Sequence, residues 1–304
     1  MKAKGSPFEI SPHPDAPLFR EEIVRNPRLL FDELRSLLEN GKPAAELFRE
    51  LLAQAALVSL FFFLRRVASF SGPYEKLNET LHLDIANFCQ SEDALAPGAR
   101  TAIIVPRAFY KSTIGGHGVD SWEAVRNADI RIRIVSAIIE RGHSFKNISR
   151  ATFDANAFFA WLFPLFVPRS GAPRWNETEF VLPNRTRNYP DPTMSAGGAT
   201  GASEGVHVDL LDIDDIEGLE DLDNLHRASA TMFQKKKWFA TNATTLLVDG
   251  SSRIRLKGTF YGADDVHSAI MADAKKIVGY RDPEFSEREN GTWVVYYRSW
   301  LEKI

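Results

Sequence analysis

Four short apolar runs alternate with stretches of helical period, and this alternation restricts the possible folds more than any other feature of the chain. The runs are rich in β-branched residues and cover residues 101–105, 130–139, 208–213 and 254–256, which predicts strands. Between them, residues 112–125, 144–163 and 219–247 are predicted to be helical. Such alternation indicates βαβ units, and therefore an α/β fold with a mostly parallel sheet flanked by helices.

The first third of the chain is predicted to be helical, over residues 30–38, 44–64 and 77–88. Its most apolar run, residues 51–64, is shorter than the ~20 residues that a membrane helix needs, and it ends at Arg65 and Arg66. We therefore expect a buried helix and no membrane partner.

Composition excludes several classes of protein. Hydrophobic residues make up 44% of the 304 residues and charged residues 25%, which is typical of a globular chain. The single cysteine, Cys89, excludes an intramolecular disulfide and a cysteine-based zinc cluster. The net charge of −3 excludes a uniformly basic nucleic-acid binder, although a local basic face remains possible.

The segment P-R-A-F-Y-K-S-T, residues 106–113, follows the first predicted strand and opens a helix. A phosphate-binding loop has this setting: backbone N–H groups face an anion, a lysine reaches the β- and γ-phosphates, and a hydroxyl binds Mg²⁺. Lys111 and Ser112 fit those two roles, but Val105 and Tyr110 occupy the two glycine positions of the usual loop. The alternative is an ordinary solvated helix N-terminus.

Paired carboxylates end another predicted strand, in L-L-D-I-D-D, residues 210–215. In a nucleotide hydrolase, one such carboxylate holds Mg²⁺ and its neighbour orients the attacking water. The alternative is an acidic, solvated turn.

The last predicted strand runs into Gly258 and Thr259. A hydroxyl there could contact the γ-phosphate, and the alternative is a plain strand-to-loop turn. Ligands of open α/β sheets bind at the C-terminal edge of the strands, so all three segments could contribute to one site.

Taken in order, these segments resemble the ATPase motor of the large terminase subunit of tailed bacteriophages. The resemblance spans about residues 81–267 and includes P-R-A-F-Y-K-S-T, then S-A-G-G-A-T-G and H-V-D-L-L-D-I-D-D-I-E-G, then I-R-L-K-G-T-F-Y-G-A-D-D-V-H. It implies an ASCE-type P-loop NTPase that uses ATP and Mg²⁺ to move double-stranded DNA into procapsids.

The resemblance assigns roles to individual residues. Lys111 would bind the phosphates, Ser112 and Asp214 would hold Mg²⁺, and Asp215 would be the catalytic carboxylate, a role that Glu217 could share or take. Arg107 would place positive charge near the γ-phosphate, and Thr259 would couple hydrolysis to DNA movement. The residues expected to contact ATP are Arg107, Ala108, Phe109, Tyr110, Lys111, Ser112, Thr113 and Thr259.

The sequence also departs from the family pattern. The family's catalytic carboxylate is often Glu, whereas Asp215 is one methylene shorter. Because Tyr110 replaces a glycine, we expect a loop that avoids the backbone angles that need glycine. Arg227 and Arg141 are the candidates for an arginine supplied by a neighbouring subunit, and Tyr74 is a candidate for the adenine pocket.

We expect a helical N-terminal region at 1–72, an ATPase core at 73–270, and a C-terminal extension or linker at 271–304. The family carries a C-terminal nuclease domain, but only 45 residues follow Thr259 in this sequence, so we expect no nuclease activity from this chain.

The implied partners are double-stranded DNA bound without sequence readout, the portal protein, the procapsid and the small terminase subunit. The expected assembly is a homo-oligomeric ring, with a monomer or low-order oligomer in isolation, in the cytoplasm of the infected bacterial host. Residues 234–238, Q-K-K-K-W, are a possible DNA-facing patch or a solvated helix face.

Two other functions remain open from the sequence. One is a helicase-type DNA-dependent ATPase, although no further helicase motifs are found. The other is a scaffold that does not hydrolyse ATP because the loop lacks both glycines.

Overall fold

The computed structural model describes residues 45–68, 77–198, 206–216, 241, 243–260, 265–279 and 287–299. The helix predicted at 30–38 and most of the one predicted at 219–247 lie outside these residues. The described end of the latter contains a short 3-10 helix, Thr244–Leu246.

In the described residues an eight-stranded sheet forms the centre of the fold, in the order β3-β4-β2-β5-β6-β1-β8-β7. The strands are β1 Arg100–Ile104, β2 Ile132–Ser136, β3 Glu179–Phe180, β4 Met194–Gly198, β5 Leu210–Asp214, β6 Arg253–Gly258, β7 Ala274–Val278 and β8 Trp293–Tyr297. All neighbouring strands are parallel except β3 and β4. The predicted α/β class with a mostly parallel sheet is therefore confirmed.

The register of three central strands brings their ends to one edge. In β6, Gly258 pairs with Ile104 of β1, and Lys257 pairs with Asp214 of β5. The segments that follow β1, β5 and β6 consequently emerge side by side, with β6 between the other two.

Helices cover both faces of the sheet. They are α1 Ala45–Val58, α2 Leu60–Phe62 with a π-helical continuation Phe63–Ala68, α3 His82–Cys89, α4 Glu92–Leu95, α5 Val119–Arg126 preceded by a π-helical segment Thr113–Gly118, α6 Ile139–Asp154, α7 Ala157–Leu162 and α8 Val266–Ala272.

Alternate strand residues serve two separate cores. Ile103 and Ile134 belong to the core that includes side chains of α1, α2, α3 and α5, whereas Ile104 and Val135 face the core that includes α8. Burial on both faces explains why these strands read as nearly continuous apolar runs in the sequence.

The helix predicted at 144–163 is two helices, because Asn156 interrupts it. Its side chain accepts a hydrogen bond from the N–H of Phe159 at 2.9 Å and so caps α7. Asparagine is a favoured N-cap because its carbonyl satisfies a donor that has no partner within the helix.

The sheet does not follow the predicted boundaries at 72 and 270. Strands β7 and β8, expected as an extension or linker, belong to the central sheet, and β8 pairs with β1. At the N-terminal side, the indole of Trp122 donates to the carbonyl of Ala56 at 2.8 Å, which joins α1 to α5.

Within the described residues, no helix combines the length and apolar character needed to cross a membrane.

Candidate functional site at the sheet edge

The loop between β1 and the following helix adopts the backbone angles that glycine usually supplies. Ala108 has φ +67° and Tyr110 has φ +55°. The expectation that the loop avoids such angles is therefore wrong. Non-glycine residues held in this region cost free energy, and they cluster at functional sites.

Packing helps to hold Tyr110 in this conformation. Its ring lies edge-on to that of His82, with centroids 5.2 Å apart and planes at 78°. Such edge-to-face contacts stabilise by about 0.5–1.5 kcal/mol, which offsets part of the backbone cost.

Three glycines lie in the helix that follows the loop. A Cβ on Gly115 would lie 2.2 Å from Cδ1 of Ile103, and a Cβ on Gly118 would lie 2.2 Å from the carbonyl oxygen of Thr113. Glycine at 115 therefore lets this segment approach β1 closely, and glycine at 118 lets the segment pack against its own first residue. The backbone leaves the helical conformation at Gly116, with φ −117° and ψ −118°, so the helix kinks there, and the G-G-H-G sequence is the local signal for this kink.

Asp214 is buried at the end of β5, with 1% of its surface exposed. Burial, with a smaller contribution from Asp215, raises the pKa of its carboxyl to about 6, whereas Lys257 and the nearby Ser112 hydroxyl lower it. Within the described residues, neither oxygen of Asp214 accepts a hydrogen bond of normal geometry. A carboxylate without donors is an unusual group to bury.

Asp215 lies between two basic residues from other segments. One of its oxygens is 3.3 Å from Nζ of Lys111, and the other is 3.8 Å from a guanidinium nitrogen of Arg141. Nζ of Lys111 also donates to the hydroxyl of Thr259 at 3.2 Å, and this hydroxyl donates to the carbonyl of Val105 at 3.0 Å. Residues distant in sequence thus meet at one point.

Asp215 has φ +41°, so the turn after β5 is strained like the loop after β1. Arg141, considered as an arginine for a neighbouring subunit, contacts the Asp215 of its own chain. Its side chain is 48% exposed, which leaves it accessible from solvent.

A layer of buried charge lies below this point and was not predicted. Lys257 forms an ion pair with Asp212, and both side chains are 1% exposed. Arg255 pairs with Asp120 at 2.9 Å and with Glu123, both on α5. Burial and the nearby Asp212 raise the pKa of Asp120 well above its usual range.

Some of the remaining predicted site residues lie in the described loop and helix, and the others lie outside the described residues. Arg107 and Ala108 are exposed in the loop, whereas Phe109, Ser112 and Thr113 are partly buried. The others predicted, Glu217, Arg227, Tyr74 and residues 234–238, lie outside the described residues.

The donor set at the site fits Mg²⁺ bound together with a nucleotide. In such sites Mg²⁺ keeps several waters and takes one or two protein oxygens plus phosphate oxygens. Asp214 offers carboxylate oxygens without hydrogen-bond donors, and the Ser112 hydroxyl is beside it. Among the described residues no group of three or more His, Cys, Asp or Glu side chains forms a metal site.

Comparison with protein-family models and with curated proteins gives no match.

Proposed function

We propose that this chain is an ATPase of the P-loop class, with the ASCE strand arrangement, that works as the motor of a DNA-packaging terminase. The observation that carries the proposal is the meeting of Lys111, Asp215 and Thr259 at the C-terminal edge of three adjacent parallel strands. Ligands of open α/β sheets bind at this edge.

The strand order supports the ASCE arrangement. Strand β6 lies between β1, which leads into the loop, and β5, which carries the acids. A residue at the end of β6 can then contact both the lysine and the carboxylate, as the hydroxyl of Thr259 does for Lys111.

Each residue has a distinct task in the hydrolysis of ATP to ADP and phosphate. The ammonium of Lys111 exchanges the Asp215 carboxylate for phosphate oxygens when nucleotide binds. Asp215, released from that ion pair, orients the attacking water and accepts its proton. Ser112 and Asp214 would hold Mg²⁺, and the ion would supply positive charge that neutralises the phosphates.

Two arginines can add positive charge at the γ-phosphate. Arg107 lies exposed in the loop, and Arg141 lies next to the catalytic carboxylate. Arginine suits this task because its guanidinium stays charged and binds phosphate through two parallel hydrogen bonds.

The link to DNA packaging comes from the resemblance of the ordered motifs. In this proposal double-stranded DNA is moved through its phosphates without base readout. The other partners are the portal, the procapsid, the small terminase subunit and further copies of the chain in a ring, in the cytoplasm of an infected bacterium.

The test measures ATP–Mg²⁺ binding by calorimetry and phosphate release with and without double-stranded DNA. We expect the wild type to bind and hydrolyse ATP, Lys111→Met to lose both, and Asp215→Asn to keep binding but lose hydrolysis. Lys276→Met is the control, because this lysine is 42% exposed and pairs with Asp93 away from the site.

Two results would contradict the proposal. A wild type that does not bind ATP–Mg²⁺ would favour the non-hydrolysing scaffold, because the loop would then not serve as a nucleotide site. DNA unwinding by the chain would favour the helicase-type ATPase.

A further inference from the structure

Lys257 lies between two buried carboxylates of the neighbouring strand. It forms an ion pair with Asp212, and its Nζ lies 3.9 Å from an oxygen of Asp214. In the part of the chain that the structure describes, no other Lys, Arg or His nitrogen lies within 4.0 Å of Asp214.

The side chain of Lys257 also passes directly below the helix that follows the phosphate-binding loop. A Cβ on Gly116 would lie 3.1 Å from Nζ of Lys257 and 3.5 Å from its Cε. The absence of a side chain at residue 116 thus makes room for the ammonium under this helix.

The buried carboxyl group of Asp214 requires a positive charge nearby. It is 1% exposed, and its two oxygens accept no hydrogen bond of normal geometry from the described residues. A buried carboxylate is costly unless it is paired with an opposite charge. Asp212 has a direct ion-pair partner in Lys257, whereas the cation nearest to Asp214 among the described residues is the same ammonium at the longer distance of 3.9 Å.

We propose that Lys257 is a positioning residue for Asp214, whose carboxyl group it holds in place facing Ser112 below the phosphate-binding loop. This inference rests on the proposed function, because it gives Asp214 its task in binding Mg²⁺ with the nucleotide. Residues that orient a metal ligand typically change metal affinity by about 10–100-fold when they are replaced.

The rival explanation is that Lys257 serves only to neutralise Asp212 and so stabilises the fold. Three variants separate the two explanations: Lys257→Met, Asp212→Asn and the double variant. The Met side chain replaces the aliphatic part of lysine without its charge and is one atom shorter, and the double variant removes both members of the direct ion pair.

The experiment measures the dissociation constant of ATP by calorimetry, once with Mg²⁺ and once with EDTA, together with the thermal midpoint of each variant. The ratio of the dissociation constant with EDTA to that with Mg²⁺ measures how much Mg²⁺ strengthens ATP binding, separately from the phosphate contacts. Arg253→Met is the control, since this arginine of β6 pairs with Glu123 away from Asp214.

We expect Asp212→Asn and Arg253→Met to keep the wild-type ratio. Lys257→Met should reduce it by about tenfold or more. The double variant should recover the thermal midpoint but keep the reduced ratio, because Asp214 still lacks its cation.

A double variant with the wild-type ratio would overturn the inference, and so would one that fails to fold, because either result assigns Lys257 to the fold alone. A wild type whose ATP affinity does not depend on Mg²⁺ would instead refute the proposed function. The two failures are therefore distinguishable.

Discussion

Replacing Ala108 by glycine should stabilise the protein, although glycine usually destabilises. Ala108 has φ +67° and is exposed, so its methyl group imposes a backbone cost and contributes little packing. A non-glycine residue in the left-handed region costs roughly 1–2 kcal/mol. Glycine also makes the unfolded chain more flexible, which lowers the free energy of unfolding by about 0.4–1 kcal/mol and offsets part of the gain from the relieved strain.

The net expectation for Ala108→Gly is an increase of about 0.5–1 kcal/mol in the free energy of unfolding. Urea denaturation followed by circular dichroism measures this difference. The matched control is Ala151→Gly, at an exposed position inside α6, which should lose about 1 kcal/mol.

The same change at Tyr110 should have the opposite sign. Tyr110 has φ +55°, so glycine relieves a similar strain. However, the substitution also removes the partly buried ring and its contact with His82, which together contribute roughly 1.5–2.5 kcal/mol. We therefore expect Tyr110→Gly to destabilise by about 1 kcal/mol. An Ala108→Gly variant that is destabilised as much as Ala151→Gly would refute the strain argument.

Two further predictions concern the fold around the site. Gly258→Ala should lower the thermal midpoint and weaken ATP binding, because the new Cβ would lie 1.7 Å from Nε2 of buried His267. The control is Gly250→Ala, which should be neutral in both assays because no atom lies within 4 Å of its Cβ position. The pKa of His117 is lowered to about 3, chiefly by burial, so the unfolded chain binds a proton there that the folded chain does not. The free energy of unfolding should then fall as pH decreases from about 6.5 towards 3, with this group contributing about 1.4 kcal/mol per pH unit. In the variant His117→Phe, the urea midpoint should depend less on pH over this range.

The strands were predictable where apolar residues are continuous. Residues 101–105 and 208–213 lie close to β1 and β5, because burial on both faces favours runs in which apolar residues predominate. The strand Met194–Gly198 was missed, since its small residues have low strand propensity and only its neighbours define it. In contrast, W-V-V-Y-Y at Trp293–Tyr297 has high strand propensity and was missed only because the segment was interpreted as an extension.

The chemistry-bearing residues of the site were predictable, but their conformation was not. Lys111, Asp215 and Thr259 were identified as candidates from their positions after predicted strands, and the structure brings them into contact. The left-handed backbone at Ala108 and Tyr110 was not expected, because local propensity opposes it. Only contacts with the rest of the molecule can hold such angles.

By itself, the sequence determined the class of fold and which chain segments end at the candidate site, because apolar runs, helical period and strand ends are local features. Tertiary structure alone decided that Arg255 and Lys257 of β6 are buried, although their alternation with apolar residues is also typical of a half-exposed strand. The physical reason is that a buried cation is stable only when an anion meets it. The anions here, Glu123 and Asp212, come from a helix and a strand far away in the sequence.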